Sequence, residues 1–159
     1  MLIESTAASD TIRISSGESL INDYDVASGF TLGKGAVSAK GVDKLDLPSA
    51  LIAGNIASGD GMDSGLIRSH HIVNGIISFD DVNIFTSALT ISNANILSVL
   101  SYLQSNGDGF GGTVAFKAGN DTYVFQNGVV DDTLIELTGI FTASGVNTTG
   151  LGVNTIWVI

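Results

Sequence analysis

The sequence predicts a mainly β protein: a β-sandwich or a sheet flanking a β-roll, with one helix near residues 93–104. Three observations predict it. Gly occurs 20 times in 159 residues and Pro once, a mix that suits short strands joined by glycine and asparagine turns. Short apolar runs with strand-like alternation recur along the chain, and one stretch has helical spacing. Only 14% of residues are charged and 44% are hydrophobic, against about 25% charged in ordinary globular domains. Ser, Thr, Asn and Gly must therefore make much of the surface, and the length suits one domain.

Taken in order, residues 9–26 read as short β runs, with Ile12 and Ile14 on one face and Leu20 and Ile21 after a Ser-Gly turn. Residues 28–41 are small and glycine-rich, and read as a loop or irregular hairpin. In 42–56, Val42, Leu45 and Leu47 form an extended run that Pro48 ends, and a short helical turn is expected over Ser49–Ala53. Residues 58–65, SGDGMDSG, read as a loop. Leu66 to Val73, then Asn74-Gly75, then Ile76 to Phe79 read as a hairpin, since Asn-Gly between apolar runs is the strongest short hairpin signal. A weaker helical stretch is expected over 82–89. The helix near 93–104 rests on Ala94, Leu97, Val99, Leu100 and Leu103, with Ser92 or Asn93 as its cap and Asn106-Gly107 as its stop. Strands follow at Thr113–Phe116, Thr122–Gln126 and Thr133–Thr138, and Thr155–Ile159 makes one more. No internal repeat of fixed period is visible.

Charge narrows the function. Six Lys and Arg face 16 Asp and Glu, for a net charge of −10. Phosphate binding needs a basic face, so nucleic acid is an unfavourable partner, as is an anionic membrane surface. No run approaches the roughly 20 apolar residues of a membrane span. Cys is absent, which excludes disulfides, zinc–thiolate sites and thiol nucleophiles. It also fits exoproteins that unfold to cross a secretion channel, where calcium supplies the stapling. Met1-Leu2-Ile3-Glu4 lacks the pattern of a signal peptide, so a secreted chain of this kind would carry its address elsewhere.

Catalysis finds little support. The only histidines, His70 and His71, are adjacent and point to opposite faces if they lie on a strand. No Gly-x-Ser-x-Gly, His-Glu-x-x-His or phosphate-loop pattern occurs. Carboxylate pairs suit glycosidases, but here they fall in turns, and the aromatics that line sugar sites are scarce. The chain reads as not an enzyme.

Calcium is the better use of the acids. It takes six to eight oxygens from carboxylates, amides and carbonyls, and Asp set among glycine turns can supply them. Three segments offer this: Asn22-Asp23-Tyr24-Asp25 with Asp43 and Asp46; Gly59-Asp60-Gly61-Met62-Asp63; and Gly107-Asp108-Gly109 with Gly119-Asn120-Asp121. The candidate metal residues are thus Asp23, Asp25, Asp43, Asp46, Asp60, Asp63, Asp108 and Asp121. None follows the EF-hand spacing.

Ile21-Asn22-Asp23-Tyr24-Asp25 and Val42-Asp43-Lys44-Leu45-Asp46-Leu47-Pro48 resemble a segment of the form D-x-I-x-D-F-x-x-x-x-D-K-I-D-L-S. That segment follows the Gly/Asp nonapeptides of repeats-in-toxin (RTX, haemolysin-type) proteins. Residues 28–41 would be an insertion between its halves. Gly119 to Gln126 and Asp132 to Gly139 are similar to the terminal domain, sometimes called bluetail, of RTX-type adhesins. The resemblance is strongest at 20–26, 42–48 and 119–139. No tandem nonapeptide array occurs here.

The resemblance implies that residues 1–159 are a single C-terminal module of a longer, type I-secreted bacterial protein, extracellular or at the cell surface. Asp23, Asp43 and Asp46 would help close a β-roll. The partners implied are upstream RTX repeats, calcium and a type I exporter that reads an uncleaved signal near Val153–Ile159. The alternative is a calcium-dependent, self-associating surface-layer or adhesin domain. A lectin-like module is a third class.

Overall fold

The computed structural model describes residues 2–4, 9–33, 41–148 and 154–159. Its elements are β1 (Leu2–Glu4), β2 (Thr11–Arg13), β3 (Asp25–Ser28), β4 (Lys44–Asp46), β5 (Ile56–Ser64), β6 (Ile67–Val73), β7 (Ile76–Asp80), α1 (Ile96–Phe110), β8 (Thr113–Ala118), β9 (Asp121–Gln126), β10 (Thr133–Leu137), β11 (Val146–Asn147) and β12 (Thr155–Val158). Eight strands form one sheet in the order β1-β3-β10-β9-β8-β7-β6-β5, and four form a second in the order β11-β12-β4-β2. The protein is mainly β, as composition and alternation predict.

The middle strands of the large sheet, β8 to β10, are buried on both faces, and two separate cores result. On β8, Val114, Phe116 and Ala118 join a core with Val99, Leu100, Tyr102, Leu103 and Phe110 of α1. Ala115 points the other way, into a core with Leu45 of β4 and Ile156 and Val158 of β12. Tyr123 and Phe125 of β9 divide from Val124 in the same manner. Period-two alternation thus sorts one strand between two layers, and each fully buried Leu, Ile or Phe contributes about 1.5–3 kcal/mol. A helix, a sheet and a second sheet stack in that order.

The hairpin of β6 and β7 turns at Asn74 (φ 53°) and Gly75 (φ 75°), the paired positive angles that Asn-Gly supplies. The three strands expected between 113 and 138 are β8, β9 and β10. The tail is β12, with Ile156, Trp157 and Val158 buried.

Four expectations are corrected. Residues 58–65 are not a loop but most of β5, the strand that ends the large sheet. Gly59 and Gly61 serve close approach, since a Cβ on Gly59 would fall 2.3 Å from His70 Nε2 and one on Gly61 would fall 2.3 Å from Asn106 Oδ1 of α1, while Gly65 (φ 57°) turns the chain into β6. Ser49–Ala53 is extended, not helical, because Ile52 bridges Thr113 and the Ala53 amide bonds the Thr113 carbonyl. Residues 82–89 hold no helix; the carboxylate of Asp80 organises them instead. The real helix starts later and runs past Asn106-Gly107 to Phe110, ending at the left-handed Gly111 (φ 50°). Gly107 is kept inside it because a Cβ there would strike the Asn127 side chain. Leu97 is 75% exposed and outside the apolar stripe, whose place Tyr102 and Phe110 help to fill. Within the expected loop at 28–41, residues 34–40 lie outside the described residues.

Candidate functional site

The eight candidate calcium residues lie apart and largely serve the fold. Asp43 is wholly buried. Its Oδ1 accepts the Asp10 amide and its Oδ2 the Thr31 amide, each at 2.8 Å. Asp46 meets Arg13 Nε at 3.5 Å. Asp25 is buried at the start of β3, where its amide donates to Ser19 Oγ (2.7 Å) and that hydroxyl donates to the Leu134 carbonyl. Asp23 is exposed in the turn that follows Leu20. On β5, Asp60 accepts the amide of its neighbour Gly61, and Asp63 pairs with Arg68 at 2.5 Å. Asp108 accepts Asn127 Nδ2 (3.1 Å), and Asp121 accepts the Gly139 amide (2.7 Å). Among the described residues, no three His, Asp or Glu side chains form a group that could hold a metal ion.

What the structure does bring together is the first half of the chain, in an unanticipated way. β1 lies in the large sheet, β2 in the small one, β3 in the large and β4 in the small. β1 pairs β3 in parallel, Leu2 opposite Val26. β2 pairs β4 in parallel, Thr11 opposite Lys44 and Arg13 opposite Asp46. The chain therefore winds twice around one core, as two coils of a parallel two-sheet roll. Ile12 and Ile14 of the first coil and Ala27, Leu45 and Leu47 of the second share that core. On the second coil the winding is closed: β10 pairs with β3, and β12 runs antiparallel onto β4. On the first coil it is open, because β1 and β2 are both terminal strands in the order of the described residues. The signal for this was legible: Asp10-Thr-Ile-Arg-Ile and Asp43-Lys-Leu-Asp-Leu share one pattern, Asp-x-apolar-x-apolar. It escapes a search for fixed period, since a two-fold pattern five residues long fixes none.

Three further groups lie outside the eight candidates, and one of them, His70 with His71, takes the opposite faces of a strand that adjacency predicts. Asp80, buried, accepts the amides of Ser87 (2.9 Å) and Thr86 (2.7 Å), the Thr86 hydroxyl and the Asp81 amide. Those amides hold its carboxyl down at about 2. His70 is buried with Nδ1 2.9 Å from the Tyr102 hydroxyl, while His71, on the opposite face, stacks on Phe85 at 5.0 Å. Burial pushes the His70 pKa down, with Asp60 opposing. Asp132 accepts the Gly128 amide (3.1 Å), yet burial pushes its carboxyl up, and the charges of Asp108 and Asp131 add to that. Asp131 and Asp132 line a cleft of about 410 Å³ with Asn22 and Gln104.

No helix among the described residues is long and apolar enough to cross a membrane. Comparison with protein-family models, with curated proteins and with solved structures gave no match.

Proposed function

We propose that the chain is a non-catalytic, calcium-binding module of a type I-secreted bacterial protein, working at its C-terminal end. It closes a parallel β-roll and bears the export signal in its tail. The observation that carries this reading is the two-coil winding of β1 to β4. A parallel roll grows by stacking coils on an open end and stops where its strands meet partners that no coil can follow. Here the open end is made by β1 and β2, and the antiparallel β12 and the mixed remainder of the large sheet form the closed end. The segments that carry the RTX resemblance also adjoin: β3 pairs β10, and β10 pairs β9, while β4 packs beneath them. The tail strand lies on β4, so a signal read before folding would be covered after it.

Calcium enters this reading through the surface. The net charge is −10, and Asp132, although it accepts the Gly128 amide, is opposed in ionising by burial and by the charges of Asp108 and Asp131. Backbone and amide oxygens would have to complete any shell there. The test places Gly/Asp nonapeptide repeats ahead of the chain and follows their folding by circular dichroism as calcium is added. With the module attached, the transition should come at lower calcium than with an unstructured tail of equal length. Equal midpoints would overturn the capping role.

A second reading, calcium-dependent self-association, is favoured by one observation. Leu51, Val129 and Val130 are exposed at 62%, 105% and 84% around a groove of about 400 Å³, and such apolar clusters mark contact surfaces. Light scattering that shows calcium-dependent oligomers would place it ahead of capping. A chain monomeric in calcium would remove it.

A further inference from the structure

We propose that Asp10 anchors a coil stacked on the open end, accepting a backbone amide of that coil as Asp43 accepts the amide of Asp10. The inference rests on the reading of the β1–β2 end as the face that receives a coil, and it names the group that fixes the register there.

The parallel register sets Ile12 opposite Leu45 and Arg13 opposite Asp46, so the residues that precede the two strands, Asp10 and Asp43, are also equivalents. Their surroundings agree. The Lys44 amide donates to the Asp10 carbonyl (3.0 Å), and the Ile14 amide to the Asp46 carbonyl (2.9 Å). Ile12 and Ile14 enter the same core as Leu45 and Leu47.

The corner needs a carboxylate for a physical reason. Where the chain passes between sheets, backbone amides leave the ladder and must find another acceptor. Asp43 supplies two: Oδ2 serves Thr31, on the loop leading to its own strand, and Oδ1 serves Asp10, one coil earlier. Asp10 stands where the next such acceptor belongs. An ionised carboxylate offers about four acceptor sites, so one carboxylate can serve an amide of a stacked coil in addition to other partners, as the Asp43 carboxylate serves two amides at once.

The same register states what that coil should contain. Two apolar residues, two and four places after its corner, would cover Ile12 and Ile14. An acid three places after the corner would continue the outer row Asp46–Arg13, in which Arg13 is largely exposed. The partner is thus a parallel coil of the pattern Asp-x-apolar-x-apolar, the pattern that Asp10 to Ile14 of this chain itself carries, with Arg13 in the place of the acid.

The test inserts a second copy of residues 10–42 between Val42 and Asp43 of the full chain. The two copies should stack, so that the second copy's Asp10 takes the place between the first copy's Asp10 and Asp43. The extended chain should remain monomeric, and exchange of the first copy's Asp10 amide should be slowed. Asp10→Ala in the second copy should abolish that protection. It should also lower Tm by about 2–4 °C more than Asp10→Ala does in the original chain. If the extended chain folds with the inserted strands protected, yet second-copy Asp10→Ala changes neither readout beyond the original, Asp10 is not the anchor and the coil-receiving reading stands. If the inserted strands exchange as freely as a glycine-serine insert of the same length, the open end does not receive coils and both readings fall.

Discussion

At the scale of single residues, the aspartates divide into those that hold amides and those that do not. Asp43→Ala would leave the Asp10 and Thr31 amides without their acceptor, and each unsatisfied donor costs about 1–3 kcal/mol when buried, toward the lower end here because both bonds are only part-buried. Denaturant unfolding should therefore show a loss of about 2–4 kcal/mol. Asp23→Ala, in an exposed turn, should cost under about 1 kcal/mol. Equal losses would mean that the corner bonds contribute nothing. Sequence reading singled out Asp43 as a candidate calcium ligand, and the structure gives its oxygens to two backbone amides. A calcium ion and a pair of backbone amides both call for carboxylate oxygens, and residue type cannot separate them. Acid should act in two windows. His70 has a lowered pKa in the fold, so below its ordinary value of 6.5 the unfolded chain binds the proton first. Stability should fall as pH drops through 6.5 toward the folded value. Asp80 is an acid with a lowered pKa, so its contribution is intact above 3.8 and lost as pH falls toward about 2. Melts from pH 8 to 5 should slope in the native chain and flatten in His70→Gln. An unchanged slope would exonerate His70.

At the scale of elements, legibility followed the reach of the cause. The β6–β7 hairpin was readable because Asn74-Gly75 fixes it locally. The segment SGDGMDSG was misread because its glycines answer to partners far along the chain. Asn106 of α1 donates to the Met62 carbonyl (3.0 Å) and accepts the Met62 amide (2.7 Å). It thus pairs with β5 much as a neighbouring strand would, and Gly61 leaves it the space. The helix itself was legible from its apolar period, yet its ends were not. Its later half depends on Gly107 fitting against Asn127 and on Phe110 reaching His70, with ring centroids 5.8 Å apart. Leu100→Ala should cost about 2–5 kcal/mol, and Ser101→Ala almost nothing, since that residue is exposed. Leu97→Ala should also fall within about 0.5 kcal/mol, against its place in the sequence-based stripe. A large loss at Leu97 in denaturant melts would show that the stripe, and not the packed face, describes the helix.

At the scale of the molecule, the composition indicated a β fold with polar, uncharged surfaces, but not its winding. Parallel coils are assembled from pairings such as Leu2 with Val26 and Thr11 with Lys44, and no short window of sequence contains both partners. The surplus of carboxylates was visible from the start, and its effect should be measurable. Asp132→Asn keeps an oxygen for the Gly128 amide while removing a charge that burial and two like neighbours oppose. It should raise Tm in EDTA and narrow the gap between melts in EDTA and in calcium. An unchanged gap would take the Asp132 loop out of the calcium reading. The tail gives the last and widest test. Ile156 and Val158 are fully buried in the core between the sheets, and Trp157 lies on the other face with Lys44 Nζ 5.1 Å from its ring. Thr155 and Ile156 pair with Asp46 and Leu45, so β12 covers the motif strand of the second coil. Removing residues 155–159 withdraws three buried apolar side chains at about 1.5–3 kcal/mol each, so Tm should fall by at least about 9 °C at about 2–4 °C per kcal/mol. If the same segment is the export signal, the truncated chain should also leave a fused passenger inside the cell. A full-length chain with Ile156→Ser and Val158→Ser separates the two roles, because it loosens the strand while keeping the tail. Secretion of that variant without stable folding would support a signal read from the unfolded chain. Secretion of the truncated chain at the full-length level would leave β12 a purely structural strand.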